Sequence, residues 1–148
     1  MEKPVYPIRV AETGLWYEFD SVSEQKTIRK VVAFYISPAN NDSAELVFGD
    51  LLTDGSIDVN VKSNNKDMAV ILLTVVRVIY YFLELYPSKT VMFMGSTAAR
   101  NRLYRALITK FLPEQMHIFE VFGLTFDNQL EPFSADKDYF SYQIGLRK

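Results

Sequence analysis

The sequence predicts an α+β domain in which a mixed, mainly antiparallel sheet carries one layer of two helices. Short runs rich in Val, Ile, Phe and Tyr alternate with turn-forming residues through the first part of the chain, as in β-structure. Two later segments have helical character, and each ends at a proline. With 148 residues, 49% of them hydrophobic, the chain has the size of a single domain, 1–148. The predicted order is β-β-β-β-α-β-α-β-(β)-β, with residues 1–12 as a candidate flexible end.

Four strands are predicted before the first helix, at residues 15–19, 25–37, 45–52 and 57–61. Turn-forming residues separate them. The turn at 53–56 contains Asp54-Gly55, a pair typical of a β-hairpin. In the strand that follows, apolar and polar residues alternate strictly, so one of its faces is expected to meet solvent.

The first helix is predicted from Asp67, after an Asn or Ser cap, to about Tyr86, where Pro87 ends it. It is apolar on nearly all sides, which is typical of a helix covered by the rest of its domain. Its longest uninterrupted apolar run, 68–76, has nine residues, fewer than the ~20 that a membrane span requires. We therefore expect a buried core helix and no membrane partner.

The second half of the chain continues with a buried strand at 90–94 and a second helix from about 97 to 112, which Pro113 ends. Further strands are predicted at 116–122 and 139–146. The apolar alternation of the last strand suits a core strand, and it equally suits an edge that pairs with a second copy. A homodimer is therefore a candidate assembly.

This order of elements also suggests a distant ribonuclease H-like topology. Nucleases of that fold need several carboxylates that converge on divalent metal ions. Here the first helix has acids only near its ends, at Asp67 and Glu84, and the strand 90–94 has none. The sequence therefore disfavours an active nuclease.

Several kinds of catalytic site are excluded by composition. The chain has no cysteine, which excludes disulfides, thiolate catalysis and thiolate-ligated metals. His117 is the single histidine, and neither GxGxxG nor GxxxxGK[ST] occurs. We expect no metal and no cofactor. The N-terminus has no apolar signal region, so a cytoplasmic location is expected.

Basic charge is concentrated in the segment 88–112. This segment contains Lys89, Arg100, Arg102, Arg105 and Lys110 and no acidic residue, whereas the other 123 residues carry 11 basic and 18 acidic groups. The segment therefore has a net charge of +5, and the rest of the chain has a net charge of −7. The asymmetry predicts a surface for an anionic ligand or an acidic protein partner.

The junction between strand and second helix is a candidate anion site. Backbone N–H groups at a helix start point toward solvent at the positive end of the helix dipole, where phosphate or carboxylate binds. Arginines occupy the first turns in place of the acids that the dipole favours, which strengthens this interpretation. The candidate ligand-binding residues are Gly95, Ser96, Thr97, Arg100, Arg102 and Arg105.

A helical wheel centred on Leu103 separates the three arginines. Arg100 falls on the core side, where a guanidinium needs an acceptor. That acceptor is an internal carboxylate such as Asp50 or Glu131, an anion of a ligand or partner, or solvent. Arg102 and Arg105 fall outside the apolar stripe and are expected to be solvated.

Four sequence blocks carry a resemblance to known proteins. They are FGD at 48–50, NNxD at 64–67, YP at 86–87 and GSTAARNRLY at 95–104. In these blocks the chain resembles a family of small, single-domain bacterial proteins of unknown function. The resemblance implies a bacterial cytoplasmic origin and assigns no catalytic residue.

Three functions remain open at this point. The leading hypothesis is a non-enzymatic binding or interaction domain that uses Arg102 and Arg105. The first alternative is a low-affinity nucleic-acid-binding protein, in which Lys110 and an exposed Tyr104 join the arginines. The second alternative is a hydrolase or phosphoryl-ligand enzyme that uses Arg100 and Asp50.

Overall fold

The computed structural model describes residues 5–59, 67–94, 98–111 and 117–147. This part of the chain contains nine strands and two helices, which confirms the predicted α+β class and the predicted order of elements. The strands are β1 (Arg9–Val10), β2 (Trp16–Val22), β3 (Thr27–Ile36), β4 (Ser43–Leu51), β5 (Ile57–Asp58), β6 (Thr90–Phe93), β7 (Phe119–Leu124), β8 (Leu130–Pro132) and β9 (Ser141–Leu146). The helices are α1 (Met68–Leu85) and α2 (Ala98–Ala106), and α2 continues as the π-helical turn Leu107–Phe111.

The strands form a mixed, mostly antiparallel sheet. Hydrogen-bonded neighbours follow the order β1-β2-β3-β4-β6-β9-β7-β8, and β5 pairs with the end of β4. β4 and β6 are parallel, as is usual for two strands joined by a crossover that contains a helix. β9 is antiparallel to β6 on one side and to β7 on the other, so it has no free edge for a second copy. The suggestion that the last strand pairs between copies is therefore wrong.

No sequence pattern predicts β1, which lies within the candidate flexible end at residues 1–12. Arg9 and Val10 pair with Glu18 and Tyr17 of β2. A strand of two residues is too short for an apolar–polar alternation to be visible in the sequence.

The contacts of the chain divide it into two compact units. The first comprises Met1–Tyr35 with Leu46–Leu85, and the second comprises Ile36–Glu45 with Tyr86–Lys148. In the first unit, α1 packs on the sheet through Phe82, whose ring stacks on that of Phe34 with the centroids 4.0 Å apart. Tyr17 contacts the Phe34 ring edge-on at 5.7 Å. Such aromatic pairs add to the free energy gained from burying apolar surface.

By length and composition alone, α1 would be able to cross a membrane, since its 18 residues have a mean hydropathy of 2.0. Half of these residues are buried inside the protein. Ile71, Val75, Ile79 and Phe82 recur at helical spacing on the buried face. A core helix can meet the same criteria of length and composition as a membrane span. The burial of this face is the one predicted for a core helix.

In the second unit, α2 packs on the face of β6 and β9 that carries Phe93 and Tyr142. The Tyr104 ring of α2 lies 5.0 Å from that of Phe93, and the Phe93 and Tyr142 rings are 5.6 Å apart. Leu107 and Ile108, two successive residues of the π-helical turn, are both buried. The second unit therefore has an aromatic core under a short cationic helix.

Candidate functional site

The candidate site is the exposed side of α2 and of the turn that follows it. Arg102 and Lys110 are exposed, and neither forms a hydrogen bond or ion pair with the described residues. No acidic residue occurs in the first turn of α2 or in the π-helical turn. We call Arg102 and Lys110 the cationic surface of α2.

Arg105 is only partly solvated, whereas the helical wheel predicted a solvated side chain. Its guanidinium donates hydrogen bonds to the backbone carbonyls of Ala135 and Lys137, and it lies 3.4 Å from an oxygen of Asp138. The side chain is 29% exposed. The wheel considers only the helix, whereas the segment 135–138 is brought to Arg105 by the tertiary fold. Arg105 therefore holds this segment against α2.

Tyr104 is buried, which corrects the prediction of an exposed aromatic residue. Only 6% of it is exposed, because its ring packs on Phe93. Among the described side chains of α2 and the π-helical turn, Tyr104, Leu107 and Ile108 are buried, while Leu103 is half-buried. The core-facing direction of the helix is thus rotated from Leu103 toward Tyr104, which leaves Arg102 nearly opposite the core.

The other predicted residues of the anion site are not part of the described surface. Gly95, Ser96 and Thr97 lie outside the described residues, as does the side chain of Arg100. The two acids proposed as internal partners of Arg100 both have other partners. His117 is exposed, and no group of three His, Asp or Glu side chains suited to a metal ion occurs in the described part of the chain.

Asp50 forms a buried ion pair with Lys30. The Lys30 ammonium group contacts the Asp50 carboxylate, and the two side chains are only 6% and 10% exposed. The ammonium group also lies 6.0 Å from the centroid of the Phe48 ring. Sequence reasoning missed Lys30, although it stands in line with Ile28, Val32 and Phe34 on the face of β3 that the alternation assigns to the core.

Glu131 is bound by Lys137 and Tyr139. The Lys137 ammonium group lies 2.9 Å from the Glu131 carboxylate, and the Tyr139 hydroxyl donates to the same group at 2.9 Å. The hydrogen bond from Lys137 is the main cause that lowers the pKa of Glu131, and the hydrogen bond from Tyr139 acts in the same direction. Glu131 thus stabilises the connection between β8 and β9.

A third polar group fixes the start of α1. The hydroxyls of Tyr6 and Ser21 each donate a hydrogen bond of 2.5 Å to one oxygen of Asp67, the residue before the helix. The Tyr6 backbone N–H donates to the Thr74 hydroxyl at 2.9 Å. Burial, followed by the hydrogen bond to Asp67, raises the pKa of Tyr6. This arrangement attaches the N-terminal segment to β2 and α1.

The fold and the site together define a class: a small α+β protein with a cationic helix surface. Within this class the chain belongs to the DUF6934 family, a family of unknown function whose model matches residues 2–147. No curated protein and no solved structure matches the chain. The family has no activity that transfers to these residues, so function is inferred from the site.

Proposed function

We propose that the protein is a non-enzymatic binding domain that recognises an acidic segment of a partner protein through the cationic surface of α2. One observation supports this proposal most strongly: Arg102 and Lys110 are exposed and form no hydrogen bond or ion pair with the described residues. An unpaired cation exerts its full charge on an approaching anion, and its side chain is free to adapt to it.

The spacing of the two cations favours a segment over a small anion. Arg102 and Lys110 are eight positions apart, a distance of roughly 10–12 Å along a helix axis. A single phosphate or carboxylate would have to draw both side chains along the helix toward one point, whereas an extended acidic segment meets each side chain separately. An extended peptide rises about 3.3 Å per residue, so acids three or four positions apart match this distance.

The role of Arg105 in this proposal is positional. Its hydrogen bonds to the carbonyls of Ala135 and Lys137 hold α2 in place in the second unit. Because those bonds occupy its guanidinium, we assign recognition to Arg102 and Lys110. The burial of Tyr104 removes the aromatic platform on which bases would stack, which makes nucleic acid the weaker alternative.

The proposal is tested by charge reversal. Fluorescence anisotropy with a labelled oligo-glutamate peptide compares the wild type with Arg102→Glu/Lys110→Glu and with the control Lys26→Glu/Arg77→Glu, which changes the net charge equally. We expect the first variant to bind at least about tenfold more weakly, since two attractive contacts become repulsive. The control is expected to stay close to the wild type. Equal loss in both variants, or no binding by the wild type at low salt, would contradict the proposal.

A labelled single-stranded oligonucleotide in the same assay separates the alternative function. If α2 held a phosphate backbone, the oligonucleotide would bind at least as tightly as the peptide. Its logarithmic salt slope would be roughly −1 to −2 for two neutralised phosphates.

A further inference from the structure

Glu120 stands on the sheet face that points away from α2. Tyr142 of β9 is the register partner of Phe93 on β6 and of Gly123 on β7, so these three residues share the face on which α2 packs. Successive residues of a strand point to opposite faces, and every second residue of β7 counted from Gly123 therefore lies on that face too. Glu120 and Phe122 are on the other face and are half-buried. The Glu120 carboxylate forms no hydrogen bond or ion pair with the described residues.

Glu120 is one of the residues that line a cavity of about 120 Å³. Glu120, Phe122, Gln143, Gly145 and Thr90 are among its lining residues. On the same measure a single water needs only ~10–15 Å³. The cavity therefore has room for the head group of a small organic molecule or of a long side chain.

Gly145 creates this room, since it is the register partner of Glu120 on β9. A Cβ atom at this position would stand 3.4 Å from Thr90 Cγ2 and 4.0 Å from the carbonyl oxygen of Lys89. Those distances are ordinary contacts, and the φ angle of Gly145 lies outside the left-handed region. A Cβ atom is therefore accepted at this position, and the methyl groups of a valine would extend from it into the cavity.

Among the described residues that line the cavity, Glu120 is the acidic one. The Gln143 amide and the Thr90 and Ser88 hydroxyls offer acceptor oxygens as well as donors. Lys89 also lines the cavity, but its ammonium group donates to the Asn41 carbonyl and lies 5.8 Å from the Tyr86 ring centroid. Arg147, the residue after β9, donates from its guanidinium to the Phe119 carbonyl at 3.3 Å. Both nearby cations thus have acceptors other than Glu120.

We propose that this cavity binds a guanidinium or alkylammonium group, with Glu120 as its counter-ion. A carboxylate forms charge-assisted hydrogen bonds with such a group, and a planar guanidinium also stacks on an aromatic ring such as that of Phe122. The site lies on the opposite face of the sheet from the cationic surface of α2. The second unit would therefore have two binding surfaces, one for an acidic segment and one for a cationic group.

The test is an NMR titration of the ¹⁵N-labelled full chain with methylguanidinium, using methylurea as the neutral ligand of similar shape. We expect methylguanidinium to shift the backbone amides of Glu120, Phe122, Gln143 and Gly145, and methylurea to shift them far less. Glu120→Gln should weaken binding about tenfold, because a charge-assisted hydrogen bond becomes a neutral one. Glu84→Gln, an exposed acid on α1, is the matched control and should bind as the wild type does.

Gly145→Val provides an independent test, because it fills the cavity and keeps the carboxylate. It should also lose at least about tenfold in affinity, and its thermal unfolding shows whether the fold is kept. An arginine-containing peptide that binds at least about tenfold tighter than methylguanidinium would identify a protein side chain as the occupant. Equal affinities would identify a free small cation. Unshifted amides at Glu120, or equal binding by Glu120→Gln and the wild type, would overturn the proposal.

Discussion

At the scale of single residues, the ion pair of Lys30 and Asp50 places two charges in the core of the first unit. Both groups are almost fully removed from water, which costs several kcal/mol for each charge unless the partner and its hydrogen bonds compensate. The pair therefore stabilises the fold little in net terms. Removal of one partner alone, however, leaves an uncompensated charge in the core.

We expect Lys30→Met to lower the free energy of unfolding by about 3–5 kcal/mol, because the Asp50 carboxylate then stays buried without its counter-ion. The double variant Lys30→Met/Asp50→Leu should recover most of this loss, since it removes both charges. Urea unfolding measures each value.

The neighbouring residue Arg29 supplies the control for this experiment. Its side chain is 55% exposed and lies 3.6 Å from Asp20 on the other face of β3. Arg29→Met should cost no more than about 1 kcal/mol. If Lys30→Met lowered the free energy of unfolding as little as Arg29→Met does, the buried Asp50 carboxylate would not depend on Lys30 as its counter-ion, and the prediction would be wrong.

At the scale of elements, the segment between β8 and β9 is held by hydrogen bonds to Glu131 of β8 and from Arg105 of α2. Glu131 of β8 accepts from Lys137 and from Tyr139, and Arg105 of α2 donates to Ala135 and Lys137. The Tyr139 ring packs directly against Gly123. A Cβ atom at position 123 would lie 2.3 Å from this ring and would clash with it, so the glycine makes room for Tyr139. The position of α2 thus depends on a polar segment outside the helix.

This segment gives the protein a contribution to stability that depends on pH. The hydrogen bonds from Lys137 and Tyr139 lower the pKa of Glu131 in the folded protein below the ordinary value of a glutamate. Stability from this carboxylate is therefore fully present above the unfolded pKa and is lost as the pH falls through the folded pKa. We expect Glu131→Gln to lower the melting temperature at neutral pH and to reduce the further loss between about pH 5 and 3. Glu84→Gln is the control, and identical acid-side profiles for the two variants would contradict this role.

At the scale of the whole molecule, the regular elements could be predicted from the sequence because each has a local cause. The nearly continuous apolar segment and Pro87 predicted a helix from Asp67 to Tyr86, and the structure has it from Met68 to Leu85. The hairpin turn at Gly55 has the positive φ angle, 87°, that the Asp-Gly pair indicated. Such signals lie within a few residues of the elements they determine.

The site was predicted less well because its features depend on tertiary contacts. The exposure of Arg102 followed from the helical wheel, whereas the partners of Arg105 come from a segment 30 or more positions away in the chain. The burial of Tyr104 follows from Phe93, a residue of a different element. The counter-ion of Asp50 is Lys30, 20 positions earlier, whose position within an apolar alternation was the signal available in the sequence.

The central claim is that the cationic surface of α2 is the recognition surface for an acidic segment. An NMR titration of the ¹⁵N-labelled chain with oligo-glutamate tests it most directly, since each backbone amide reports its own surroundings. We expect the largest shifts at Arg102, Thr109 and Lys110, and we expect them to shrink steeply as salt is raised. Shifts that centre on another part of the chain, or that persist unchanged at high salt, would contradict the claim.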